Sequence, residues 1–389
     1  MRRIVLLCIV VISLLAVTFS STGTMSKATQ KHRRPQPIIR KAQGNNTGPG
    51  RPRKKSKPPD LSGLDPAINP YLNLTVDFKP YRDMVQKLFI DNPTLYGDKC
   101  NIPDGAIMFS YANQHLLTLL RLRYDIMKAA RALDCVEKRF ITVCLDETCL
   151  KECQSYGLKN VVWVQVPETP MTGFGMVADK IQRFAFGYMS WLKYEMMFES
   201  LKVATEVMYL DADVMIYDNP FLETPYGRDD TGKKIPGPYE VMFQRERGIK
   251  EKGCRGEVNG GLIYLRNTTR VHERFIPGMR GEKAEIVSAT GRQDQDIVLK
   301  YVGPPMARCT LPVSRYVGFC PWSQDARASP KKAITFHTNC VSGLNNKIQK
   351  IKQFSARVVG GDLGKYIGTR HGPSKPGIVG AKANNTTSL

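Results

Sequence analysis

Residues 209–217 read YLDADVMIY and set two aspartates between two apolar runs. Alternate side chains of a strand share a face, so Asp211 and Asp213 are predicted to point the same way, with Ala212 turned into the core. Two carboxylates at the end of a buried strand are costly without a positive partner. A divalent metal that carries a diphosphate meets this need, because hard oxygen ligands suit Mn²⁺ or Mg²⁺. The alternative is an acidic turn at a strand end.

The sequence around this stretch alternates between strand and helix patterns over about 280 residues. Strands are predicted at 105–111, 139–145, 160–166, 241–244, 261–265 and 333–336, and helices at 116–133 and 181–201. Such alternation predicts an α/β fold with a mainly parallel sheet covered on both faces. Ligands bind such sheets beyond the carboxyl ends of the strands, which is where the two aspartates lie.

The N-terminus pairs a short basic cap, Met1-Arg2-Arg3, with sixteen nearly unbroken apolar residues at 4–19. This pattern predicts a signal anchor over residues 1–22, and the alternative is a cleaved signal peptide. The preceding charges place the N-terminus in the cytosol and the rest of the chain in the lumen. A basic, Pro- and Gly-rich stem is predicted at 23–80, a catalytic domain at 81–356 and a basic, disordered tail at 357–389.

The formal net charge of +22 is concentrated in the tails. Residues 1–60 hold 13 Lys and Arg against one acid, and residues 347–389 hold 8 against one. The rest of the chain is close to neutral, so a folded nucleic-acid-binding face is not predicted. Behind a secretory segment, the basic runs favour anionic lipid headgroups or an acidic polysaccharide over nucleic acid.

The chain contains ten cysteines, and Cys8 lies in the apolar N-terminal segment. The cluster CLDETCLKEC at 144–153 lacks paired C-x-x-C knuckles or nearby histidines, so disulfides are favoured over zinc. The remaining nine cysteines leave one thiol over, or one intermolecular bridge. Five N-x-S/T sequons agree with a lumenal chain.

Four segments carry a resemblance to a known family: VMYLDADVMIYDNPF, NGGLIYLRN, GRQDQDIV and FHTNCVSGLNNKIQKIKQF. Over residues 106–354 the chain resembles Golgi nucleotide-diphospho-sugar transferases with the GT-A fold, above all glycosyltransferase family 77. It is also similar to glycosyltransferase family 8, in which a late histidine, followed by a glycine and a lysine, closes the donor site. The Lys-Pro-Trp ending typical of family 8 is absent.

The resemblance implies specific roles at the phosphate end of the donor site. Asp211 and Asp213 match the metal-binding pair, and His337 matches the histidine that completes the metal shell. Its alternative is a histidine that only packs in the core. Gly343 and Lys347 match positions that reach the diphosphate, although Lys347 also fits a solvated helix face.

Further donor contacts follow from the same resemblance. Tyr111 would stack on the base and Asn113 would bond its edge, while Lys193 would touch the nucleotide. For Tyr111 packing is the alternative, and for Lys193 an exposed helix position. Other donor-binding positions match a strand start and a helix start: Asn259, Gly260, Gly261, Gln293 and Gln295. Asp294, at the helix start, is either a cap or the catalytic carboxylate that faces the transferred sugar.

Together these features imply a metal-dependent glycosyltransferase that uses Mn²⁺ or Mg²⁺ and a nucleotide-diphosphate sugar, with UDP as the expected nucleotide. The acceptor would be a glycan or a glycoprotein, and the resemblance implies retention of the anomeric configuration. The expected location is the Golgi membrane, as a single-pass type II protein. Two alternatives are an inactive GT-A domain that serves as a lectin or scaffold, and a secreted polyanion-binding protein.

Overall fold

The computed structural model describes residues 64–95, 99–166, 180–222, 239–246, 257–288, 294–302, 306–320 and 330–360. The predicted anchor, most of the predicted stem and nearly all of the C-terminal tail lie outside these residues. None of the described helices is both long enough and apolar enough to cross a membrane.

The described strands form two sheets. In chain order they are β1 (Ala106–Ala112), β2 (Phe140–Cys144), β3 (Val161–Trp163), β4 (Glu206–Leu210), β5 (Val214–Ile216), β6 (Val241–Arg245), β7 (Val258–Arg266), β8 (Arg308–Thr310), β9 (Tyr316–Gly318) and β10 (Thr335–His337). Continuous apolar runs such as AIMFSYA in β1 are buried at every position, as expected for strands covered on both faces.

The larger sheet has the strand order β3-β2-β1-β4-β7-β6-β8. Its strand pairs are parallel except for the two made by β7, which is antiparallel to β4 and to β6. The prediction of an α/β fold with a mainly parallel sheet is therefore confirmed. Because β7 runs the opposite way, its first residues lie beside the end of β4, where Leu210 pairs with Leu262.

The described α-helices pack around the two sheets. They are α1 (Lys79–Asp91), α2 (Leu117–Ala129), α3 (Leu133–Val136), α4 (Glu147–Ser155), α5 (Lys180–Ser200), α6 (Ile276–Gly281), α7 (Lys283–Ser288), α8 (Asp294–Val298) and α9 (Leu344–Val359). The helix predicted at 116–133 divides into α2 and α3, because Arg131 takes a positive φ of 59°. Core packing begins before residue 81, since Tyr71 and Phe78 are buried.

The smaller sheet, in the order β5-β10-β9, continues the chain beyond the aspartate motif. Its antiparallel pairing sets His337 opposite Val214, the residue that follows Asp213. Helix α9 packs on this sheet, and the rings of Phe336 and Phe354 stack with centroids 3.9 Å apart. The small sheet therefore delivers a late histidine to the end of β4.

Three disulfides lie within the described residues: Cys100–Cys135, Cys144–Cys149 and Cys320–Cys340. Cys153 is a free, buried cysteine. The 144–153 cluster thus holds one disulfide and one thiol, in agreement with the prediction of disulfides over zinc.

Candidate metal and donor site

Asp211 and Asp213 follow β4 as predicted, but they lie in a tight turn between β4 and β5, so the strand alternation used to predict their common direction does not apply. The amide of Val214 donates to the carbonyl of Asp211 at 3.0 Å, which closes the turn. The reversal follows from the antiparallel pairing of β5 with β10, which takes the chain out of the larger sheet. Ala212 is buried as predicted, and both carboxylates still face a common point.

That point is shared with His337. One ligand atom from each of Asp211, Asp213 and His337 lies within 4.8 Å of the others. The Nε2 atom of His337 is 3.3 Å from Oδ1 of Asp213 and 3.8 Å from Oδ2 of Asp211. Carboxylate oxygens with one imidazole nitrogen form a donor set suited to Mn²⁺, so this group could hold a divalent metal.

The Asp213 carboxylate is buried, with 1% of its side chain exposed. Its Oδ2 accepts a hydrogen bond from Thr338 Oγ1 at 2.8 Å and pairs with Lys347 Nζ at 2.5 Å. Burial by itself raises the pKa of Asp213, but its interactions with His337 and Lys347 outweigh burial and hold the pKa well below its usual range. Asp213 is therefore ionised, and its Oδ1 faces the histidine.

The Asp211 side chain is more open, with 36% exposed. The hydroxyl of Tyr209 donates to its Oδ1, and the guanidinium of Arg123 donates to its backbone carbonyl. Burial lowers the pKa of Arg123 to about 10, although the charges of Asp213 and Asp211 oppose this. Two buried side chains, Tyr209 and Arg123, thus hold Asp211 in place.

Glycine at position 261 leaves room for this group. A Cβ on Gly261 would lie 2.3 Å from Cε1 of His337 and 2.6 Å from Oδ2 of Asp211, which is closer than atoms can pack. The carbonyl of Gly261 also accepts a hydrogen bond from the amide of Asp211 at 2.7 Å. Close approach of the β7 backbone to the aspartate turn therefore requires a residue without a side chain.

A cleft of about 200 Å³ opens above the aspartate turn. Ten residues predicted from the sequence line it: Tyr111, Asn113, Lys193, Asp211, Ala212, Asn259, Gly260, Gly261, Asp294 and Gln295. Residues from five distant segments thus share one cleft at the carboxyl edge of β1 and β4. Gln293 lies outside the described residues.

One wall of the cleft is built on an ion pair between α5 and α8. Lys193 Nζ lies 2.5 Å from Oδ2 of Asp294, and it also donates to the carbonyl of Gly260 at 3.0 Å. The hydroxyl of Tyr194 donates to the same Asp294 oxygen at 3.0 Å. Lys193 is buried, so the alternative of an exposed helix lysine does not hold.

Tyr111 and Asn113 line the cleft with polar groups that already have partners. The hydroxyl of Tyr111 donates to the carbonyl of Met189 at 2.7 Å, and its ring stacks on Tyr209 with centroids 5.5 Å apart. The side-chain oxygen of Asn113 accepts from the amide of His115 at 3.2 Å. For Tyr111 this geometry favours the packing alternative.

Asn259 acts on the backbone beside the metal-binding group. Its Oδ1 accepts a hydrogen bond from the amide of Gly261 at 2.8 Å, and its Nδ2 donates to the carboxylate of Glu246. The side chain therefore shapes the start of β7, where the two glycines approach the cleft.

Gly343 and Lys347 lie at the start of α9, and the residues that line the cleft do not include them. Gly343 has a φ of 82° and precedes α9, and its carbonyl accepts from the amide of Lys347 one turn later. Lys347 is buried against Asp213, so it does not lie on a solvated helix face.

The sequence analysis missed several residues of the site. On α5, Phe186, Met189 and Ser190 precede Lys193 by seven, four and three positions, so helical spacing from Lys193 would have found them. Phe186 is 52% exposed at the cleft. Gln244 and Thr338 contact the metal-binding group through the fold alone, and no local pattern in the sequence marks them.

A family profile matches most of the domain. The profile of the nucleotide-diphospho-sugar transferases matches residues 135–351, which contain every member of the metal-binding group. No curated protein sequence matches the chain.

Solved structures with similar folds are distant. The galactosyltransferase LgtC in complex with donor and acceptor sugar analogues is 13% identical, with a TM-score of 0.37 over 67% of this chain and 96% of that chain. Mouse xyloside xylosyltransferase 1 is 14% identical, with a TM-score of 0.37 over 60% of this chain and 98% of that chain. Scores this low carry no argument about the site.

Proposed function

The chain belongs to the nucleotide-diphospho-sugar transferase family and is a glycosyltransferase, and from this premise we propose a metal-dependent reaction with a UDP-linked sugar as donor. The acceptor would be a glycan or a glycoprotein. One observation carries the proposal: Asp211, Asp213 and His337 converge at the carboxyl edge of the sheet. This is where a mainly parallel α/β sheet binds ligands.

The donor set fits a divalent metal, Mn²⁺ or Mg²⁺, held by Asp211, Asp213 and His337. When bound, it would supply Lewis-acid stabilisation of the charge that grows on the leaving nucleoside diphosphate. Asp213 would hold the metal through Oδ1, because its Oδ2 is engaged by Thr338 and Lys347. The ammonium of Lys347 adds positive charge beside the expected position of the diphosphate.

The sugar would lie on the opposite wall, against Asp294. Lys193 and Tyr194 hold the Asp294 carboxylate through its Oδ2 atom and fix its orientation toward the cleft. We propose that this carboxylate stabilises positive charge at the anomeric carbon in a reaction that retains configuration.

The cellular context is proposed from the sequence. Residues 1–22 would anchor the protein in the Golgi membrane as a single-pass type II protein, with a stem at 23–80 and a lumenal GT-A domain at 81–356. The disulfides Cys100–Cys135 and Cys320–Cys340 support an oxidising compartment. Within the larger family, we propose that the chain is a member of glycosyltransferase family 77 and is related to family 8.

The test is a screen of the purified protein against a panel of nucleotide sugars, with release of the nucleotide as readout. The proposal predicts turnover of at least one UDP-sugar with Mn²⁺, and loss of that turnover in EDTA. Equal turnover in EDTA would contradict the metal role, and preference for a donor without uridine would contradict the UDP assignment.

A further inference from the structure

Gln244 contacts His337 of the metal-binding group but is not one of its three ligand residues. It lies near the end of β6 and is fully buried. Its Oε1 atom is 2.7 Å from Nδ1 of His337, a residue 93 positions away in the chain. Because both partners are buried, this hydrogen bond is shielded from competition with water.

The orientation of the Gln244 amide follows from its second contact. Its Nε2 donates to the backbone carbonyl of Tyr316 at 3.4 Å, so the oxygen is the end that faces His337. A carbonyl oxygen only accepts, and the Nδ1 atom of His337 must therefore carry the proton.

This hydrogen bond determines which nitrogen of His337 is presented to a metal. The Nε2 atom points toward Asp213 Oδ1 and Asp211 Oδ2, and a neutral imidazole with its proton on Nδ1 places the Nε2 lone pair there. Building on the proposed metal role, we infer that Gln244 is a positioning residue that fixes the tautomer and ring orientation of His337 for metal binding.

The local backbone explains how Gln244 reaches this place. The pairing of β6 with β7 shifts register between Phe243 and Gln244, so Gln244 pairs with Asn259 rather than continuing the regular ladder. Such irregularities re-aim side chains beside functional sites. The shift therefore places the site-shaping Asn259 and the histidine-orienting Gln244 side by side on neighbouring strands.

A neutral amide suits this position electrostatically. The group already contains two carboxylates, of which Asp213 is fully buried. A third acid behind His337 would add a buried negative charge that needs its own partner. Gln244 supplies the acceptor that selects the tautomer without adding charge.

The inference is tested by Mn²⁺ binding to the metal-free protein, measured by electron paramagnetic resonance of free Mn²⁺ in the absence of any donor. Gln244→Leu removes the acceptor and should raise the Mn²⁺ dissociation constant by about 10- to 100-fold, as for other outer-shell partners of metal ligands. Gln244→Glu restores an acceptor and should stay within about tenfold of wild type. Gln244→Met provides a second acceptor-poor variant if the leucine variant does not fold.

The matched control is Tyr217→Phe. It removes another buried hydrogen bond, between the hydroxyls of Tyr217, just after β5, and Ser355 on α9 at 2.7 Å, without touching His337 or the aspartates. It should lower the melting temperature but leave the Mn²⁺ affinity unchanged.

Three results would overturn the inference. Folded Gln244→Leu or Gln244→Met with wild-type Mn²⁺ affinity would show that His337 needs no acceptor. Equal losses in the leucine and glutamate variants would assign Gln244 to packing alone. If the wild-type protein does not bind Mn²⁺, the metal site itself is disproved. UDP-sugar turnover in EDTA would be a separate result, showing that sugar transfer does not need the metal.

Discussion

Two buried lysine–aspartate pairs flank the aspartate turn, and they differ in what else they touch. In the metal corner, defined by Asp211, Asp213, His337, Thr338 and Lys347, Lys347 pairs with Asp213 at 2.5 Å. In the cleft wall, defined by Lys193, Tyr194, Gly260 and Asp294, Lys193 pairs with Asp294, also at 2.5 Å. Only the second pair lines the cleft.

The difference separates structural from catalytic effects. Asp213 is buried, with its Oδ2 bound by Thr338 and Lys347 and its Oδ1 beside His337, so its charge is part of the packed interior as well as of the site. Asp294 lies at the cleft surface, with its charge held ready by Lys193 and Tyr194. Substitution of the buried Asp213 should therefore change stability and activity together, whereas substitution of the more exposed Asp211, or of Asp294, should change mainly activity.

The largest effect is expected at the open carboxylate of the metal corner. Asp211→Asn should lower sugar transfer by at least about 10³-fold, or about 4 kcal/mol of activation free energy, because a metal ligand is lost. The melting temperature of the metal-free protein should change little, since the Asp211 side chain is partly exposed. Turnover above a tenth of wild type, at saturating Mn²⁺, would contradict the ligand role.

Asp213→Ala should add a loss of stability that Asp211→Ala does not show. It leaves the buried ammonium of Lys347 without its partner, and breaking a buried ion pair in this way costs about 3–5 kcal/mol. Denaturant unfolding of both variants without metal measures the difference. Equal unfolding free energies of the two variants would contradict the structural role of the Asp213 charge.

In the cleft wall, Asp294→Asn should lower kcat by about 10²-fold and leave the affinity for UDP nearly unchanged, because a charge that acts in the transition state is lost. Asp296→Asn is the matched control, since Asp296 belongs to the same helix but is exposed. If Asp294 only caps the helix, Asn replaces it without loss. Near-normal turnover of Asp294→Asn would remove it from the catalytic residues.

The two adjacent glycines give the finest comparison of the two regions. Gly261→Ala pushes a methyl group against His337 and Asp211 and should raise the Mn²⁺ dissociation constant by about tenfold. At Gly260 a Cβ would meet Lys193 Nζ at 2.8 Å and Asp294 Oδ2 at 3.0 Å, and the lysine end can move. Gly260→Ala should therefore leave Mn²⁺ affinity unchanged and alter only the KM for the donor. The reverse pattern would contradict the assignment of the regions.

The sheet could be predicted from the sequence because its strands are continuous apolar runs. The predicted strands at 105–111 and 139–145 correspond to β1 and β2, and the aspartates follow β4 as expected. The sequence did not distinguish a turn at Asp211 from a strand that continues, because apolar residues stand both before and after the aspartates. The reversed direction of β7 depends on pairing across the sheet, which no local pattern encodes.

The sequence predicted those site residues whose type indicates their chemistry. It predicted less well the contacts between residues that only the fold brings together. Aspartates and a late histidine could be read as ligands from their motifs. The contacts of Lys347 with Asp213 and of Gln244 with His337 join residues more than 90 positions apart. Burial of Lys193 and Lys347, each paired with an aspartate, excludes the alternative that they are exposed helix lysines.

The most direct test of the metal corner is UDP binding to the wild-type protein, measured by titration calorimetry with Mn²⁺ and again with EDTA. If Asp211, Asp213 and His337 hold a metal that carries the diphosphate, UDP should bind at least about 100-fold more tightly with Mn²⁺, a difference of about 2.7 kcal/mol. Asp211→Asn should then bind UDP weakly under both conditions. Equal UDP affinity of the wild-type protein in Mn²⁺ and in EDTA would contradict the account.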